Sequence, residues 1–386
     1  MPEPLQVMTV FGTRPDAVKM APVVKELQRH EPQVQVTVVV TGQHREMLDQ
    51  VLQVFRITPH HDLNIMQHGQ TLTQITVRVL EGLDALLSEQ KPHVLLAQGD
   101  TTTTFVAALA AFYHQVAFGH VEAGLRTHHK YNPFPEEMNR RLAGVIADFH
   151  FAPTSNARDN LLREGVEPQR IWVTGNTGID ALLMVAEQPH AFEDPLLHHA
   201  VESPLRTVLL TAHRRENWGE PLRRICTAVK MLVQRFDDIQ VVFPMHRNPL
   251  VRQIATEVLG NVPRVVLTEP PDYAPFVKLM QHSYLILTDS GGVQEEAPSL
   301  GKPVLVLRET TERPEGIEAG TAKLVGTDLD AILTEASRLL TDAYAYAQMA
   351  QAVNPYGDGK ASQRIRQVLL EHFGYQTTPL TNGGRR

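Results

Sequence analysis

The 386-residue sequence contains only one cysteine, Cys226. A single cysteine excludes an internal disulfide and is typical of proteins in a reducing compartment. No apolar run approaches the length of a membrane span, and the first residues lack the basic-then-apolar pattern of a secretory signal. Motifs typical of zinc sites, such as HExxH and Cys/His clusters, are also missing despite 18 histidines. We therefore expect a cytoplasmic protein with no structural metal and no membrane anchor.

The chain also has no net positive charge; its formal net charge is −7. This balance argues against a general nucleic-acid or anionic-membrane binder, although a local basic pocket remains compatible with it. GxGxxG is absent after the first predicted strand, which disfavours a dinucleotide site of the NAD type. Hydrophobic residues make up 42% and charged residues 20%, the composition of an ordinary globular protein, and the length predicts two domains.

The first half of the sequence alternates apolar strands with amphipathic helices. This pattern predicts a doubly wound parallel sheet with right-handed crossovers. The predicted strands are Val7–Phe11, Val36–Val40, Val94–Ala97, Val116–Val121, Phe149–Ala152 and Ile171–Val173. The predicted helices are Ala17–Gln28, Met47–Phe55, Leu72–Leu87, Thr102–Tyr113 and Glu136–Ala147.

The alternation stops near Gln188–Arg206, which is rich in Pro, His and acidic residues and is interpreted as a linker. It then restarts, with predicted strands Thr207–Thr211, Val241–Phe243, Val265–Leu267, Tyr284–Leu287 and Pro303–Leu307. We therefore predict two Rossmann-like doubly wound α/β domains, residues 1–187 and 188–359, facing each other across a ligand cleft. A final helix within 360–376 follows a Pro/Gly-rich break and is predicted to pack back on the first domain.

In the first half, unusual polar residues follow the predicted strands. Arg14 and Lys19 come just after the first strand and are candidates for binding a diphosphate. Asp100, Glu122 and Glu136 come from three separate loops at the same predicted edge. Three carboxylates converging on one edge would form an acid/base set.

The second half has a different kind of polar motif at its strand ends. Ser290, Gly291 and Gly292 link a buried strand to a helix, where backbone N–H groups and the helix dipole favour an anion such as a diphosphate. Glu296, one turn into that helix, would reach a ribose hydroxyl. Other polar or aromatic candidates follow neighbouring strands: His213, His246, Phe276 and Arg313.

Each motif also has a purely structural interpretation. Asp100 before a threonine run is a good helix cap, and Ser290 is a good N-cap residue. Gly-Thr-x-Pro is a common helix start, and Phe276 can face a core from the first turn of its helix. The clustering of all these motifs at strand ends favours a ligand site over capping alone.

Taken together, the ordered motifs resemble those of the non-hydrolysing UDP-N-acetylglucosamine 2-epimerases, which have the glycosyltransferase-B architecture. The resemblance covers nearly the whole chain. It rests on Phe11-Gly12-Thr13-Arg14-Pro15, Gly99-Asp100-Thr101-Thr102-Thr103, His120-Val121-Glu122-Ala123-Gly124-Leu125-Arg126, Pro135-Glu136-Glu137, Ala212-His213-Arg214-Arg215-Glu216-Asn217, Asp289-Ser290-Gly291-Gly292-Val293-Gln294-Glu295-Glu296, Thr311-Glu312-Arg313-Pro314-Glu315-Gly316 and Asn354-Pro355-Tyr356-Gly357.

The resemblance implies reversible conversion of UDP-N-acetylglucosamine (UDP-GlcNAc) to UDP-N-acetylmannosamine (UDP-ManNAc) by a cytoplasmic homodimer, for surface polysaccharides. It implies neither NAD nor an essential metal as a cofactor. The implied catalytic group is Asp100, Glu122, Glu136 and His213. The implied ligands of the nucleotide sugar are Arg14, Lys19, His246, Ser290, Gly291, Gly292, Glu296 and Arg313, with Phe276 against uracil. Pro271 stands where family members form backbone hydrogen bonds with the edge of the uracil base. A proline has no backbone N–H and offers only its carbonyl oxygen there.

A second, regulatory UDP-GlcNAc site is known in some family members, and this chain keeps Gln43, His44 and Gln70 there. However, Glu46 and Gly69 stand where those members tend to carry glutamine and arginine. An added acid and a lost cation weaken diphosphate binding. We therefore expect weak or absent activation by substrate.

Three alternatives to the epimerase remain open from the sequence. A glycosyltransferase of the same architecture would share the Ser-Gly-Gly turn but would not need three acids around C2. A non-catalytic UDP-sugar sensor would keep Arg14, Ser290 and Glu296 and would tolerate loss of Glu122. A hydrolysing epimerase would release free N-acetylmannosamine. Only the family resemblance distinguishes it from the non-hydrolysing epimerase in this sequence.

Overall fold

A computed structural model describes residues 3–42 and 45–377 of the chain. Contacts divide the chain into two compact units, and the first contains two separate segments. Unit 1 comprises Met1–Ala181 and Gly357–Arg386, and unit 2 comprises Leu182–Tyr356. Each unit is built on its own parallel β-sheet, so the doubly wound α/β fold class predicted from the sequence is confirmed.

Unit 1 has seven parallel strands in the order β3-β2-β1-β4-β5-β6-β7. The strands are β1 (Leu5–Phe11), β2 (Val34–Val40), β3 (His61–Asp62), β4 (Val94–Gln98), β5 (Ala117–Val121), β6 (Phe149–Ala152) and β7 (Ile171–Val173). The helices between them are α1 (Arg14–Gln28), α2 (Arg45–Phe55), α3 (Leu72–Glu89), α4 (Thr102–Tyr113), α5 (Glu136–Ile146), α6 (Ser155–Arg163) and α7 (Thr177–Ala186), the last of which continues into unit 2.

The strands of unit 1 are almost entirely apolar because both faces of a parallel sheet are covered by helices. Met8, Val10 and Leu95 pack with side chains of α3, α4 and α5 in one core cluster. The chain order reverses between β1 and β4, which pair directly through Val10 and Ala97. Loops that follow two such strands leave a crevice at the sheet edge, where ligands of this fold class bind.

The last helix, α16 (Ala361–His372), belongs to unit 1 and packs against α1. Its first turn is capped by the buried Asp180 carboxylate, which accepts from the backbone N–H groups of Ala361 at 3.2 Å and Ser362 at 2.8 Å. On the α1 side, the Arg366 guanidinium lies 3.0 Å from the Glu26 carboxylate. These contacts join α16 to α1 and α7, which come from much earlier in the sequence.

Unit 2 repeats the same strand arrangement with six strands, in the order β10-β9-β8-β11-β12-β13. The strands are β8 (Arg206–Thr211), β9 (Ile239–Pro244), β10 (Val265–Thr268), β11 (Ser283–Thr288), β12 (Val304–Val306) and β13 (Ala322–Leu324). The helices are α8 (Pro195–Glu202), α9 (Glu220–Arg235), α10 (Pro249–Leu259), α11 (Tyr273–His282), α12 (Gly291–Glu296), α13 (Pro314–Glu318), α14 (Leu329–Thr341) and α15 (Ala343–Ala350).

The structure corrects one prediction and adds elements that the sequence did not reveal. The predicted linker Gln188–Arg206 contains α8, which begins after the cap residue Asp194 with proline at its first position. Its two buried apolar residues, Leu197 and Ala200, are too few to give a visible period. The strands β3 and β13 are not evident in the sequence because they span only two and three residues, too few to show an apolar pattern.

Within the described residues, no helix is both long enough and apolar enough to cross a membrane. In the same part of the chain, no group of three or more His, Cys, Asp or Glu side chains is arranged to hold a metal ion.

Candidate active site

One cavity of about 670 Å³ lies in unit 1, beside the crevice between β1 and β4. Strand pairing explains how distant residues reach it: β4 and β5 pair through Gln98 and Val121, so the loops after both strands leave the sheet side by side. The structure brings five of the predicted site residues together in its wall: Arg14, Lys19, Asp100, Glu122 and Glu136.

Glu122 has a left-handed backbone, with φ of 64°. This conformation is uncommon for a residue with a side chain, and it aims the carboxylate from the end of β5 into the cavity wall. Two residues later, Gly124 also has a positive φ, 91°, and an added Cβ would lie 2.2 Å from the Ala157 carbonyl oxygen. The turn that carries Glu122 therefore requires glycine at position 124.

The Glu122 carboxylate forms an ion pair with the Lys19 ammonium. Lys19 was predicted from the sequence as a diphosphate ligand, and in the structure it lies against the acid/base candidate. Both side chains are largely shielded from solvent, with exposed fractions of 25% for Lys19 and 11% for Glu122. The pair therefore fixes the position of the Glu122 carboxylate.

Asp100 is held from two sides by α5. The Arg140 guanidinium forms an ion pair with its carboxylate, and the Asn139 side-chain amide donates to its backbone oxygen at 3.0 Å. The preceding residue is also fixed, because His120 on β5 donates from Nε2 to the Gly99 carbonyl oxygen at 2.7 Å. Burial lowers the pKa of His120 to about 4, so the imidazole is neutral near pH 7.

The loop that carries Arg14 is organised by a buried carboxylate. Asp16 accepts from the backbone N–H of Gly12 at 3.1 Å and of Thr13 at 2.7 Å. Burial raises the pKa of Asp16 to about 6, against the lowering effect of these hydrogen bonds. An added Cβ on Gly12 would lie 1.8 Å from the Thr41 hydroxyl, so glycine is required where this loop passes β2.

Two neighbouring glutamates at the start of α5 have different environments. Glu136 is half-buried and lines the cavity. Glu137 is fully buried and accepts from the backbone N–H groups of Thr127 at 3.1 Å and His128 at 3.2 Å. Glu137 therefore anchors the loop before α5, which leaves Glu136 as the residue that faces the cavity.

In unit 2, the corresponding crevice lies between β8 and β11, which pair through Thr211 and Thr288. Ser290 caps α12 by accepting from the Val293 N–H at 3.5 Å. Two guanidinium groups lie beside the Ser-Gly-Gly turn, because Nη2 of Arg313 is 3.7 Å and Nη2 of Arg214 is 3.8 Å from the position that a Cβ on Gly291 would occupy.

Arg313 is held in place by several neighbours. Its Nε forms an ion pair with Glu295, and its backbone N–H donates to the Thr311 hydroxyl at 3.0 Å. Tyr356 donates from its hydroxyl to the Arg313 carbonyl oxygen at 3.2 Å and accepts from the Gly316 N–H at 3.0 Å. Burial raises the pKa of Tyr356, which keeps this hydroxyl protonated.

The remaining candidates of unit 2 occupy the loops and helix starts after its strands. His246 follows β9, is exposed and accepts from the Asn248 N–H at 3.2 Å. Pro271 precedes α11, and Phe276 lies in its first turns; both are half-buried. Glu296 is half-buried at the end of α12. Unit 2 therefore carries His213, the Ser-Gly-Gly turn and these four residues.

Comparison with known proteins decides the family. Residues 25–370 match the family model of UDP-N-acetylglucosamine 2-epimerase. The chain belongs to this family. It is similar to the UDP-N-acetylglucosamine 2-epimerase of Bacillus subtilis, with 56% identity over 372 residues, covering 96% of this chain and 97% of the relative.

Solved structures of family members agree with the fold. A crystal structure of a UDP-N-acetylglucosamine 2-epimerase has 54% identity and a TM-score of 0.91, covering 99% of this chain and 100% of the other. The UDP-GlcNAc 2-epimerase of Neisseria meningitidis, solved with UDP-GlcNAc bound, has 48% identity and a TM-score of 0.80, covering 95% of this chain and 100% of the other. The family resemblance predicted from sequence motifs is confirmed.

Two of the three residues predicted for a regulatory site, Gln43 and His44, lie outside the described residues. The third, Gln70, accepts from the Arg78 guanidinium at 2.9 Å and from the Gln67 N–H at 3.2 Å. Gly69 beside it has a φ of 69°.

Sequence reasoning missed several residues that support the site. Arg140 and Asn139 follow the predicted Glu136 in α5 at positions that face Asp100, and helical spacing of three to four residues was the available signal. Arg214 was noted only as a neighbour of His213. The sequence places Asp289 in the strand-turn motif but does not indicate its contacts to the His213 loop.

Proposed function

We propose that this chain interconverts UDP-GlcNAc and UDP-ManNAc by epimerisation at C2, without hydrolysis. Membership of the family supports the activity, and the Neisseria meningitidis relative bound to UDP-GlcNAc supports the substrate class. The observation that carries the proposal is the unit 1 cavity, which Asp100, Glu122 and Glu136 all line. Carboxylates are among the side chains that can remove and return a proton at a sugar carbon.

The proposed route has two halves. In the first, a carboxylate takes the C2 proton, the C2–H electron pair becomes the C1–C2 double bond, and the C1–O bond breaks with its electrons on the diphosphate oxygen of UDP. The products are UDP and 2-acetamidoglucal. In the second half, a proton is added to the opposite face of C2 while the diphosphate oxygen returns to C1. Atoms and electrons balance without an external oxidant or reductant.

We assign Asp100 and Glu122 as the acid/base pair, with Glu136 and His213 assisting. The two members of the pair are each held by a cation, Arg140 for Asp100 and Lys19 for Glu122. Two carboxylates fixed by separate partners suit a reaction that needs a proton removed from one face and delivered to the other.

UDP recognition is assigned mainly to unit 2. Arg313, with Arg214 beside Gly291, would meet the diphosphate at the Ser290–Gly292 turn, where charge-assisted hydrogen bonds are strongest. His246, Pro271, Phe276 and Glu296 are assigned to the rest of the nucleotide sugar. Arg14 and Lys19 are assigned to the same substrate from unit 1. Closure of the two units on a bound UDP-sugar stays a prediction.

A homodimer in the cytoplasm is also part of the proposal. Apolar side chains are exposed on the neighbouring helices α3, α4 and α5 and are suited to cover one another in a second copy: Val77, Phe112, Tyr113, Leu142 and Val145. The single cysteine, Cys226, is free and buried, which fits a reducing compartment. Light scattering of the purified chain should give twice the mass of one chain, and the mass of one chain would contradict the dimer.

A single experiment tests the function against its alternatives. The purified chain is incubated with UDP-GlcNAc alone in heavy water and followed by proton NMR. The proposal expects UDP-ManNAc carrying deuterium at C2, with traces of UDP and 2-acetamidoglucal. Free N-acetylmannosamine would indicate a hydrolysing enzyme, and an unchanged spectrum would indicate a glycosyltransferase lacking its acceptor or a sensor. Product with its C2 hydrogen unexchanged would exclude the proposed route.

A further inference from the structure

The buried carboxylate of Asp289 lies against the imidazole of His213. Asp289 immediately follows β11, its side chain is 0% exposed, and one of its oxygens, Oδ1, is 3.1 Å from Nδ1 of His213. The imidazole itself is 41% exposed, so its other edge is accessible. The arrangement therefore pairs a buried carboxylate with a solvent-accessible imidazole.

Among the described residues, the other hydrogen bonds to the Asp289 carboxylate also come from the loop that follows β8. The backbone N–H of His213 donates at 3.0 Å and that of Arg214 at 2.9 Å. The side-chain amide of Asn217 donates to Oδ2 at 2.9 Å, and also to the Leu307 carbonyl oxygen at 3.0 Å. One carboxylate therefore fixes both the backbone of the loop and the ring that the loop presents.

The sheet sets the position of both partners. Thr211 and Thr288 are register partners at the ends of β8 and β11, and their hydroxyls are 2.5 Å apart. Asp289 also donates its backbone N–H to the Thr211 carbonyl oxygen at 3.2 Å. His213 is thus the second residue after β8, and Asp289 is the first residue after the neighbouring strand β11.

The charge state of Asp289 follows from these contacts. Burial by itself would raise its pKa, but the His213 imidazole and the backbone N–H groups of His213 and Arg214 hold the pKa below its usual value. Asp289 is therefore an acceptor only, and the ring nitrogen that faces it must donate. With a proton on Nδ1, any second ring proton sits on Nε2.

Other charged and titratable groups surround the pair. Arg214 comes from the same loop, with Nη2 beside Gly291 and 3.9 Å from the Glu312 carboxylate. The His246 ring, from the loop after β9, has its centroid 6.4 Å from that of His213. Arg313 approaches Gly291 from the segment after β12. These groups gather around the turn to which the diphosphate is assigned.

We propose that Asp289 is a positioning residue for His213 in the epimerisation. It holds one ring proton on Nδ1 and orients the ring, so that the second proton of the imidazolium lies on Nε2, and this N–H donates a hydrogen bond to the departing diphosphate oxygen. This inference rests on the proposed function, because it concerns the same leaving group. Asp289 itself does not touch the substrate.

A double-mutant cycle tests the coupling. Asp289→Asn should lower kcat roughly 100-fold, the scale of a positioned acid or base, and His213→Gln should lower it by a similar factor. In the double variant, Asp289→Asn should cost less than about threefold further, because its partner is already gone. If Asp289→Asn lowers kcat equally in both backgrounds, the residue is merely structural and the inference is wrong.

Asn217→Ala is the matched control for stability. It removes a donor to Oδ2 of the same buried carboxylate but leaves the contact between Oδ1 and the imidazole. It should lower Tm as Asp289→Asn does, with a much smaller loss of kcat. Equal losses of kcat at equal Tm would contradict a specific role for the imidazole contact.

Nitrogen-15 NMR of the histidine rings in the full-length chain provides a readout that needs neither turnover nor a folded Asp289 variant. His213→Gln identifies the signals of ring 213. In the neutral form of the ring, the proton is expected on Nδ1, and Nε2 becomes a donor only when the ring takes up a second proton. A neutral ring protonated on Nε2 would overturn the inference. If the wild type shows the expected tautomer but forms no UDP-ManNAc, the proposed function fails and the pairing stands.

Discussion

Arg140 pairs with Asp100 although 40 residues separate them in the sequence. The same guanidinium lies 3.5 Å from the fully buried Glu137, so one cation serves an acid/base candidate and the anchor of the loop before α5. This relationship makes the placement of Asp100 depend on α5.

The first prediction concerns this guanidinium. Arg140→Met should lower kcat at least tenfold, because Asp100 loses its orienting partner, and should lower Tm, because Glu137 is left buried without its cation. Arg141→Met is the control, since Arg141 is 41% exposed and lies 3.7 Å from Glu164 at the surface. Steady-state kinetics and thermal melts of both variants decide the point. Similar kcat losses in both would contradict the role assigned to Arg140.

The second prediction concerns Glu122 as a proton-transfer group. Glu122→Gln keeps the shape of the side chain but cannot accept the C2 proton, so kcat should fall roughly 100-fold or more. The free energy of UDP binding, measured by calorimetric titration, should change by less than about 1 kcal/mol, because UDP recognition is assigned mainly to unit 2. Glu167→Gln, an exposed site, should match the wild type in both measurements. A Glu122→Gln enzyme that still exchanges C2 hydrogen with solvent at the wild-type rate would refute the assignment.

The third prediction compares two glycines with nearly the same backbone. Gly124 has φ of 91° and Gly165 has φ of 87°, but only Gly124 has atoms in the way of a Cβ, with the Ala157 carbonyl oxygen at 2.2 Å. Gly165→Ala should cost about 1–2 kcal/mol of unfolding free energy from its backbone conformation. Gly124→Ala should cost about 3 kcal/mol or more and displace the Glu122 turn, with loss of activity. Urea unfolding of both variants measures the difference, and equal costs would show that the contact with Ala157 relaxes freely.

The fourth prediction concerns pH and His150, which is the register partner of His120 across β5 and β6. Burial, with smaller effects of His120 and Arg170, lowers the pKa of His150 from 6.5 to about 3. A lowered histidine pKa gives stability that is present above pH 6.5 and lost as pH falls towards the folded-state pKa. Between pH 7 and pH 5 this loss should be about 2 kcal/mol.

His150→Gln should remove that loss. Asp16 and Asp180, whose raised pKa values of about 6 act in the opposite direction, are present in both proteins and cancel in the comparison. Urea unfolding of wild type and variant at both pH values gives the difference directly. Parallel pH dependences would mean that His150 does not titrate differently on unfolding.

The fifth prediction concerns regulation. Because Glu46 and Gly69 replace the amide and the cation that family members with a regulatory site tend to carry, activation by UDP-GlcNAc should be weak or absent. The reaction started from UDP-ManNAc alone should proceed without a lag. No progress until UDP-GlcNAc is added would contradict this expectation.

The sequence predicted the fold and the location of the polar motifs well, for a physical reason. Strands buried on both faces are continuous apolar runs, and the polar residues that interrupt them mark the strand ends, as at Glu122 and Asp289. Helix α8 was missed because only two of its residues, Leu197 and Ala200, are buried.

Partnerships between side chains were much harder to predict. The pairs Lys19–Glu122 and Asp289–His213 depend on which strands are neighbours and on their register. The apolar pattern of a sequence indicates where strands lie but not their register, so it points to Lys19 as a diphosphate ligand and does not reveal its ion pair with Glu122. The contact between Asp289 and His213 could not be predicted for the same reason.

The way α16 completes unit 1 has a consequence for how the protein is made. A ribosome synthesises residues 1–181 first, but Asp180 and Glu26 meet Ser362 and Arg366 only after residues 182–356 have followed. Until then the surface of α1 that α16 covers is open to water or to other chains. Unit 2 is continuous in sequence, so all of its residues are synthesised before the last segment of unit 1. Unit 1, whose first segment is made first, is therefore the unit that completes its fold last.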